Sequence, residues 1–398
     1  MSEKINPPLS SEWTSALGPA TSGPARERDL TEFPILQFGA SRFLQAHVDL
    51  FVSEALPRGE AMGRIAVAGT TGSPESRRRI AAFAAGRPYP VLVKGLSEGA
   101  IVDERVEVSS VGAGLDAATQ WDELERLFIA ARCAVSNTAD RGYETDPDDG
   151  PDAGPPRSFP AKLAKLLLAR HRAGAEPMTL FPCELTPANG QVLRGVVLDM
   201  LDRWQAPANA RRWVGEECVW VNSLVDRIVS EALEPLGAVA EPYALWAIED
   251  QPGLEPACRH AAIVMTGDLK PYERLKLFIL NLGHTYLAEI WTKEQGAPTL
   301  MVREAIADKA TRAKLDALYE EEVLPVFAAI GMGDEANAYL KTVIERFFNP
   351  FLNHRLSEIF INHEAKKLRR FGGLIDLAKA NDLRVDQPRL TAALVDGR

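Results

Sequence analysis

The sequence is poor in features that mark metal clusters and disulfide frameworks. Its four cysteines lie far apart and form no Cys-x-x-Cys pair. The spacing therefore predicts neither a zinc knuckle nor a disulfide framework, and a reducing compartment is expected. Six histidines are present, but His354 and His363 do not have the spacing of a usual metal-binding pair on a helix, so no metal is predicted.

Excess basic charge and long apolar runs are also lacking. Lys and Arg number 45 against 55 Asp and Glu, which gives a formal net charge of −10. This balance argues against nucleic acid as a partner, because nucleic-acid-binding proteins need a basic footprint. No run approaches the roughly eighteen apolar residues of a membrane helix, and residues 1–30 lack the apolar core of a signal peptide. We expect a cytoplasmic protein without a membrane or nucleic-acid partner.

The chain has instead the composition of a globular protein, with 398 residues, 46% hydrophobic and 25% charged. That length allows two domains and a large core. Short apolar runs alternate with helical patterns over the first two thirds. Ile35 to Phe38 predict a buried strand, Gly39 a tight turn, and residues 43–56 an amphipathic helix.

Further strands are predicted in RIAVAGTTG, YPVLVKGL, CAVSNTAD, MTLFPCEL, YALWAIED and AAIVMTG. The last two are expected to extend the sheet, and residues 144–158 to form an exposed loop. Strands that alternate with helices predict an α/β fold with a parallel sheet. After Gly267 helical periodicity dominates. We predict a Rossmann-type domain with an extended mixed sheet over residues 1–268, followed by an all-helical domain over 269–398.

In such a sheet, ligands bind in the crevice at the carboxyl ends of the strands. Gly39, Gly69 and Asn137 all stand at predicted strand ends. The full Gly-x-Gly-x-x-Gly pattern is absent after the first strand, so this stretch alone does not distinguish a dinucleotide site from a tight connection.

One helical stretch, KLFILNLGHT, carries three polar residues in an apolar setting. With Lys276 at zero on an ideal helix, His284 falls near 80° and Asn281 near 140°, on the side away from the apolar face. A solvated face is the simple alternative. A partly desolvated lysine, however, has a lowered pKa and can act as a general base. The residues alone leave both interpretations open.

The stretch KLFILNLGH resembles the signature of the polyol-specific long-chain dehydrogenase family, with lysine, asparagine and histidine in the same spacing. Other segments resemble the family in the same chain order: QFGASRFLQAH, VSNTADRGYE, PCELTPANG, NSLVDRIV, KPYERLK and RFFNPFLNHRL. The resemblance covers most of the chain. PCEL, SNT and LVDRIV are most similar to the branch of tagaturonate reductases, also called altronate oxidoreductases.

The resemblance implies roles for four residues of the catalytic stretch. Lys276 matches the general acid/base, Asn281 the amide that polarises the reacting oxygen, and His284 the imidazole that orients the hydroxyl. Glu273 matches a glutamate that helps to move protons. These types suit the chemistry, since hydride transfer from an alcohol needs a base and donors that stabilise a developing alkoxide.

The same resemblance implies substrate contacts by Asn189, in the Pro-x-Asn-Gly turn, and by Arg346 and Asn349 in RFFNP. Lys366 matches a second substrate-binding lysine, although EAKKLRRF by itself indicates only a solvated basic face. A sugar acid also needs a basic partner for its carboxylate. Arg355 is a candidate for that role, together with Lys366 and His354.

Two departures from the family pattern concern the substrate. Leu185 stands where polyol enzymes carry an asparagine, and Glu358 stands where they carry an arginine. Both weaken an assignment to mannitol.

The resemblance implies NAD as the cofactor. The expected cofactor-binding positions follow three strands: Phe38, Gly39, Ala40, Gly69, Thr70, Asn137 and Thr138. No acid directly follows Gly69 to bind the ribose hydroxyls, so NADP is the alternative.

These expectations combine into one predicted function. The protein is expected to be an NAD(P)-dependent oxidoreductase that interconverts tagaturonate and altronate, or fructuronate and mannonate, as a monomer or homodimer. The alternatives are a mannitol- or arabinitol-type polyol 2-dehydrogenase, a nicotinamide-using epimerase and a non-catalytic sugar-acid binding protein.

Overall fold

The computed structural model describes residues 30–138, 142–152 and 154–395. Residues 1–30 are expected to contain no signal peptide, and all of them except Leu30 lie outside the described residues. The centre of the fold is a six-stranded parallel sheet in the order β5-β2-β1-β6-β7-β8. Its strands are β1 (Ile35–Phe38), β2 (Ile65–Gly69), β5 (Val111–Asp116), β6 (Cys133–Ser136), β7 (Thr179–Pro182) and β8 (Val219–Trp220). The predicted parallel sheet is confirmed.

The central strands are short apolar runs because helices and loops cover both faces of the sheet. Every residue of β1, β2, β6 and β7 is buried, as expected for a parallel sheet. The helices of this part are α1 (Arg42–Gln45), α2 (Val48–Ala55), α3 (Pro74–Ala84), α4 (Trp121–Ala130), α5 (Phe159–Arg172), α6 (Asn189–Arg203) and α7 (Ala208–Arg212).

The helix predicted over residues 43–56 is wrong as one element, because the chain breaks between α1 and α2. His47 has φ −129° and ψ −95°, outside the helical region. Its buried ring lies between Phe43 and Phe51, with centroid distances of 4.7 and 4.5 Å. Its Nε2 is 3.2 Å from the carbonyl oxygen of Leu245. These tertiary contacts fix a bend that helical periodicity does not reveal.

Two smaller sheets flank the first. One has the order β10-β11-β3-β4 and the other β13-β12-β9. Their strands are β3 (Tyr89–Ser97), β4 (Ala100–Val108), β9 (Ser223–Asp226), β10 (Val229–Ala232), β11 (Ala238–Ala240), β12 (Leu245–Glu249) and β13 (Ile263–Thr266). The strands predicted in YALWAIED and AAIVMTG thus exist as β12 and β13. They form a separate mixed sheet with β9 and do not extend the six-stranded one.

From Lys270 onward the described chain is helical and has its own apolar core. The α-helices are α8 (Lys270–Leu275), α9 (Leu282–Lys293), α10 (Val302–Ala307), α11 (Lys309–Leu318), α12 (Leu324–Ala329), α13 (Gly333–Phe347), α14 (Leu356–Ile359), α15 (His363–Lys367), α16 (Gly373–Ala380) and α17 (Pro388–Val395). Three π-helical segments interrupt them, namely Lys276–Asn281, Tyr319–Val323 and Leu368–Gly372. Within the described ranges no helix is both long enough and apolar enough to cross a membrane.

Candidate active site

A π-helical turn lies in the middle of the helix that carries the predicted catalytic residues. The π segment Lys276–Asn281 connects α8 to α9. An ideal α-helix would leave Asn281 about 140° away from Lys276. In a π-helix the backbone bonds join residues five apart, so fewer degrees of rotation separate successive residues than in an α-helix. The turn therefore places Asn281 more nearly on the side of Lys276 than an ideal α-helix would.

The amine of Lys276 lies where this helix meets β9. Its Nζ donates a 2.6 Å hydrogen bond to the carbonyl oxygen of Val225. Burial lowers the pKa of Lys276; the charge of Asp226 opposes this shift and that of Arg346 adds to it, with a net result below the ordinary value of 10.5. Such a lysine loses its proton closer to neutral pH, as a general base must.

The side-chain amide of Asn281 has no hydrogen-bond partner among the residues that the structure describes. Its backbone carbonyl, in contrast, accepts 3.0 Å hydrogen bonds from Thr285 Oγ1 and from Arg370 Nη1. The backbone is therefore held while the amide stays available. An amide so placed can donate a hydrogen bond to an oxygen on which negative charge develops.

The imidazole of His284 is buried in the first turns of α9. Its centroid lies 4.5 Å from that of Phe347 and 4.8 Å from that of His354. Burial lowers the pKa of His284 well below its usual value, and the neighbouring His354 and Arg346 lower it further. The ring is therefore neutral at physiological pH and can serve as a hydrogen-bonding group without carrying charge.

Glu273 and Lys366 stand beside this helix in less enclosed places. Glu273 is partly buried, one turn before Lys276, with no side-chain partner in the described part of the chain. Lys366 Nζ donates a 2.7 Å hydrogen bond to the carbonyl oxygen of Ile359. Burial lowers the pKa of Lys366, and the charge of Arg370 lowers it further.

Arg346, expected to bind substrate, lies instead in a buried ion-pair network. Its Nη1 and Nη2 each lie 2.9 Å from an oxygen of Asp226. Glu241 accepts from Nε at 3.0 Å and from Nη2 at 2.8 Å. The guanidinium is also 4.4 Å from the ring centroid of Tyr243. With its donors engaged, Arg346 ties α13 to β9, the strand whose Val225 accepts the hydrogen bond from Lys276.

Asn189 is likewise engaged within the protein. Its side chain is fully buried, and Oδ1 accepts 2.9 Å hydrogen bonds from the backbone amides of Gly190 and Ser223. Nδ2 donates to three backbone carbonyls at about 3 Å, those of Pro182, Glu184 and Ser223. These hydrogen bonds hold the loop after β7, and the substrate contact expected of Asn189 stays a prediction.

Asn349 and Arg355 also lie apart from the catalytic turn. Asn349 Nδ2 donates to the carbonyl oxygen of Lys94 at 3.0 Å, and Oδ1 accepts from the backbone amide of Phe351 at 2.9 Å. These bonds join the end of α13 to β3. Arg355 is exposed, and its backbone forms a bridge with Met301. No described contact connects Arg355 with Lys276, Asn281 or His284.

The predicted cofactor positions converge at the carboxyl edge of the parallel sheet. β1 and β6 are neighbours there, and the crossovers from them run to opposite sides of the sheet, which is the usual place of a nucleotide. Gly39 has φ +108°, and a Cβ at this position would lie 2.5 Å from the carbonyl oxygen of Asn137. Asn137 accepts from Ser41 Oγ at 3.2 Å and donates to Cys183 O at 2.8 Å. The loops thus form a close, glycine-dependent cradle that fits a dinucleotide.

The remaining cofactor positions contribute to this edge in different ways. The side chain of Phe38 lies in the core, 5.3 Å from Phe159 between ring centroids, so it can offer only backbone to a ligand. The carbonyl of Ala40 accepts from Gln45 Nε2 at 3.3 Å. Gly69 ends β2, and Thr70 follows it with partial exposure.

A buried carboxylate that the sequence analysis did not select organises the same edge. Glu184 accepts hydrogen bonds from the backbone amide of Thr138 at 3.1 Å and from the hydroxyls of Thr138, Ser136 and Tyr143 at 3.0, 3.1 and 3.0 Å. Burial raises the pKa of Glu184, and these hydrogen bonds lower it. The segments SNT and PCEL contain most of the residues of this network. Their joint presence in the sequence was therefore the signal that could have pointed to Glu184. Among the described residues, no group of three or more potential metal ligands occurs.

Comparison with known proteins matches both parts of this arrangement. The family model for the mannitol dehydrogenase Rossmann domain matches residues 34–258, and that for the mannitol dehydrogenase C-terminal domain matches residues 268–394. The chain belongs to the mannitol dehydrogenase family. It is accordingly an oxidoreductase of the kind that acts on CH–OH groups, and the expectation of NAD agrees with the matched Rossmann domain.

Curated relatives are 31% and 32% identical to this protein over the aligned residues. Altronate oxidoreductase of Bacillus subtilis (strain 168) is 31% identical over 364 residues, which cover 84% of this chain and 73% of the relative. Altronate oxidoreductase of Yersinia pestis is 32% identical over 359 residues, covering 83% and 72%. These relatives place the chain among polyol and sugar-acid dehydrogenases.

Solved structures agree with the fold. A D-sorbitol dehydrogenase in substrate-free form has a TM-score of 0.77 at 20% identity, covering 93% of this chain and 81% of that one. Mannitol 2-dehydrogenase of Pseudomonas fluorescens, a ternary complex with NAD and D-mannitol, has a TM-score of 0.71 at 20% identity, covering 92% and 78%. At this identity the likeness establishes the fold of the family.

The close approach at Gly39 gives a direct test of the nucleotide cradle. Gly39→Ala is expected to weaken NADH binding by about 10-fold or more, because the residue combines a left-handed φ with a clash against Asn137. Gly59→Ala is the matched control, since Gly59 has φ +67° but open space around the added Cβ. Titration with NADH, followed by protein fluorescence, measures the NADH affinity of both variants. Equal affinities in the two variants would remove Gly39 from the site.

Proposed function

We propose that the protein interconverts the secondary alcohol and ketone of a six-carbon sugar acid, either tagaturonate and altronate or fructuronate and mannonate. The observation that carries the proposal is the half-buried Lys276, whose pKa is lowered and whose π turn also carries the unpartnered amide of Asn281. The curated relatives named altronate oxidoreductase support the choice of substrate.

The proposed mechanism assigns a separate task to each polar group. In the oxidative direction, neutral Lys276 accepts the proton of the substrate hydroxyl. The amide of Asn281 donates a hydrogen bond to the oxygen as charge develops, and neutral His284 orients the hydroxyl. In the reductive direction, protonated Lys276 donates to the carbonyl oxygen. Glu273, one turn away at the partly exposed end of the helix, passes the proton between the lysine and solvent.

NAD is the proposed cofactor; when bound, it accepts or supplies the hydride. The cradle formed by Gly39, Asn137 and Thr138 would hold it, with Gly69 and Thr70 at the neighbouring strand end. NADP is the alternative, because no carboxylate follows β2 and Arg77 is exposed on α3. We also propose that residues 1–268 form the nucleotide-binding domain and residues 269–398 the substrate-binding and catalytic domain.

Two residues depart from the pattern of the polyol enzymes and weaken an assignment to mannitol. Leu185 is 69% exposed in the loop after β7 and has no hydrogen-bonding group to offer where polyol enzymes carry an asparagine. Glu358 is exposed where they carry an arginine. A carboxylate on the substrate instead requires a cation.

The experiment is a substrate panel followed by absorbance of the reduced nicotinamide. NADH and NADPH are each offered with tagaturonate, fructuronate, fructose and no sugar. We expect oxidation of NADH that depends on a uronate. Turnover of fructose alone would indicate a polyol dehydrogenase. Lack of turnover with every sugar would contradict the proposed reaction.

A further inference from the structure

A second π segment carries positive charge to the side of the catalytic turn. The segment Leu368–Gly372 contacts the Lys276–Asn281 turn through Arg370, whose Nη1 donates to Asn281 O at 3.0 Å and to Thr285 Oγ1 at 2.6 Å. Just beyond it, a Cβ added to Gly373 would lie 3.1 Å from the ring of Phe278. The two irregular turns are therefore packed together, and the residues around Arg370 adjoin the catalytic helix.

Three cations lie close together along this second helix. Lys366 stands near the end of α15, and Arg369 and Arg370 follow in the π segment, about one turn further along. Burial, together with the charge of Arg369, lowers the pKa of Arg370 to about 10. In the ranges that the structure describes, no carboxylate forms an ion pair with any of the three, although the chain as a whole carries a net charge of −10. Their mutual repulsion is thus uncompensated by the protein.

The surroundings of the three cations also favour an anionic ligand. His354, close to His284, has a buried Nδ1 without a hydrogen-bond partner. Arg369 directly precedes Arg370, whose guanidinium is bonded to the backbone carbonyl of Asn281 on the catalytic turn. A negatively charged group bound beside these cations would relieve the repulsion and lie next to the site of proton transfer.

We infer that Lys366, Arg369 and Arg370 form the subsite for the carboxylate of the substrate, and that Arg369 is its principal charge partner. The inference rests on the proposed function, and it names a residue that family resemblance did not select. Arg370 already holds the backbone of Asn281, and one N–H of Lys366 is bonded to Ile359. Exposed Arg369 keeps its whole guanidinium available for a bidentate contact with a carboxylate.

The subsite takes over the role first expected of Arg355. Arg355 is equally exposed, but it lies at the start of α14 and has no described contact with the catalytic turn. Arg369 belongs to the segment that is bonded to that turn. Arg369, which would select a sugar acid, therefore lies on the helix that also supports the catalytic amide of Asn281.

Arg369→Gln tests the subsite without disturbing the core, since the side chain is exposed. For a uronate, we expect KM to rise about 10- to 100-fold with little change in kcat, as for loss of a charged hydrogen-bonding partner. KM for fructose should stay within about twofold. Arg384→Gln, an exposed arginine in the groove lined by Glu321 and Pro388, is the matched control and should leave both values unchanged. An unchanged KM for the uronate in Arg369→Gln would overturn the inference.

A binding measurement separates this inference from the proposed reaction. Calorimetric titration with gluconate or sorbitol, in the presence of NADH, compares a carboxylate-bearing and a neutral six-carbon ligand. Wild-type protein should bind gluconate more tightly, and Arg369→Gln should lose that preference. If uronates are not reduced but this loss is observed, the reaction proposal fails and the subsite stands. Equal binding of the two ligands by wild type would reject the subsite.

Discussion

Lys276→Ala is expected to lower kcat about 10²- to 10⁴-fold in both directions, the range for loss of a general acid or base. The amine is the proton acceptor of the alcohol and the donor to the ketone, and no other described side chain lies on the catalytic turn with that capacity. Affinity for NADH should change little, because the nucleotide cradle is built from other residues, Gly39 and Asn137.

Steady-state absorbance of reduced nicotinamide measures the loss, and added small primary amines should restore part of the activity. Lys270→Ala is the matched control, because Lys270 is exposed at the start of the same helix. Retention of wild-type kcat by Lys276→Ala would remove the lysine from the mechanism.

The second large effect is expected for stability. Arg346→Met should lower the free energy of unfolding by about 3–5 kcal/mol, the usual cost of leaving buried charges without their partner. The reason is that Asp226 and Glu241 remain buried opposite the missing guanidinium. Urea unfolding followed by tryptophan fluorescence measures the change. Arg312→Met is the control, because Arg312 pairs with Asp316 near the surface and should cost no more than about 1 kcal/mol.

The pH dependence follows from Asp226. Burial would raise its pKa, but Arg346, followed by Lys276 and hydrogen bonds, lowers it from 3.8 to about 2. A carboxylate with a depressed pKa adds stability above its unfolded pKa, and that stability is lost as pH falls towards the folded value. The stability difference between wild type and Arg346→Met should therefore be largest near neutral pH and shrink below about pH 4. If Arg346→Met instead raised the KM for the sugar acid and left the free energy of unfolding unchanged, this would support the substrate contact first expected of Arg346.

The strands of the parallel sheet are predictable from the sequence because each is a short apolar run closed by a turn residue. Ile35–Phe38 is one example, with every side chain buried. β4 (Ala100–Val108) is mostly exposed and charged, so it lacks the apolar pattern that identifies a strand. The bend at His47 and the separate β9-β12-β13 sheet depend on contacts between distant segments. The local periodicity of the sequence therefore cannot predict the bend or the separate sheet.

The candidate site likewise combines features that the sequence predicts with features that depend on distant contacts. Residue types and spacing, together with the family resemblance, select Lys276, Asn281 and His284, and the structure places them on one continuous helix. The π turn that carries the first two is a backbone irregularity without a distinct sequence pattern. Asn189 and Arg346 match family positions, but their hydrogen bonds are to the protein itself, which only their three-dimensional partners reveal. Arg369 lies in a basic stretch that indicates a solvated surface until its neighbours are known.

The central claim is that Lys276 transfers the proton that accompanies hydride transfer to a uronate. A single-turnover measurement of NADH oxidation by tagaturonate and fructuronate, from neutral to alkaline pH, tests it most directly in wild type and Lys276→Ala. We predict that with at least one uronate the wild-type rate falls as pH rises through a pKa below the ordinary lysine value of 10.5, and that the variant is slow and lacks this inflection. The same inflection and rate in Lys276→Ala would contradict the claim.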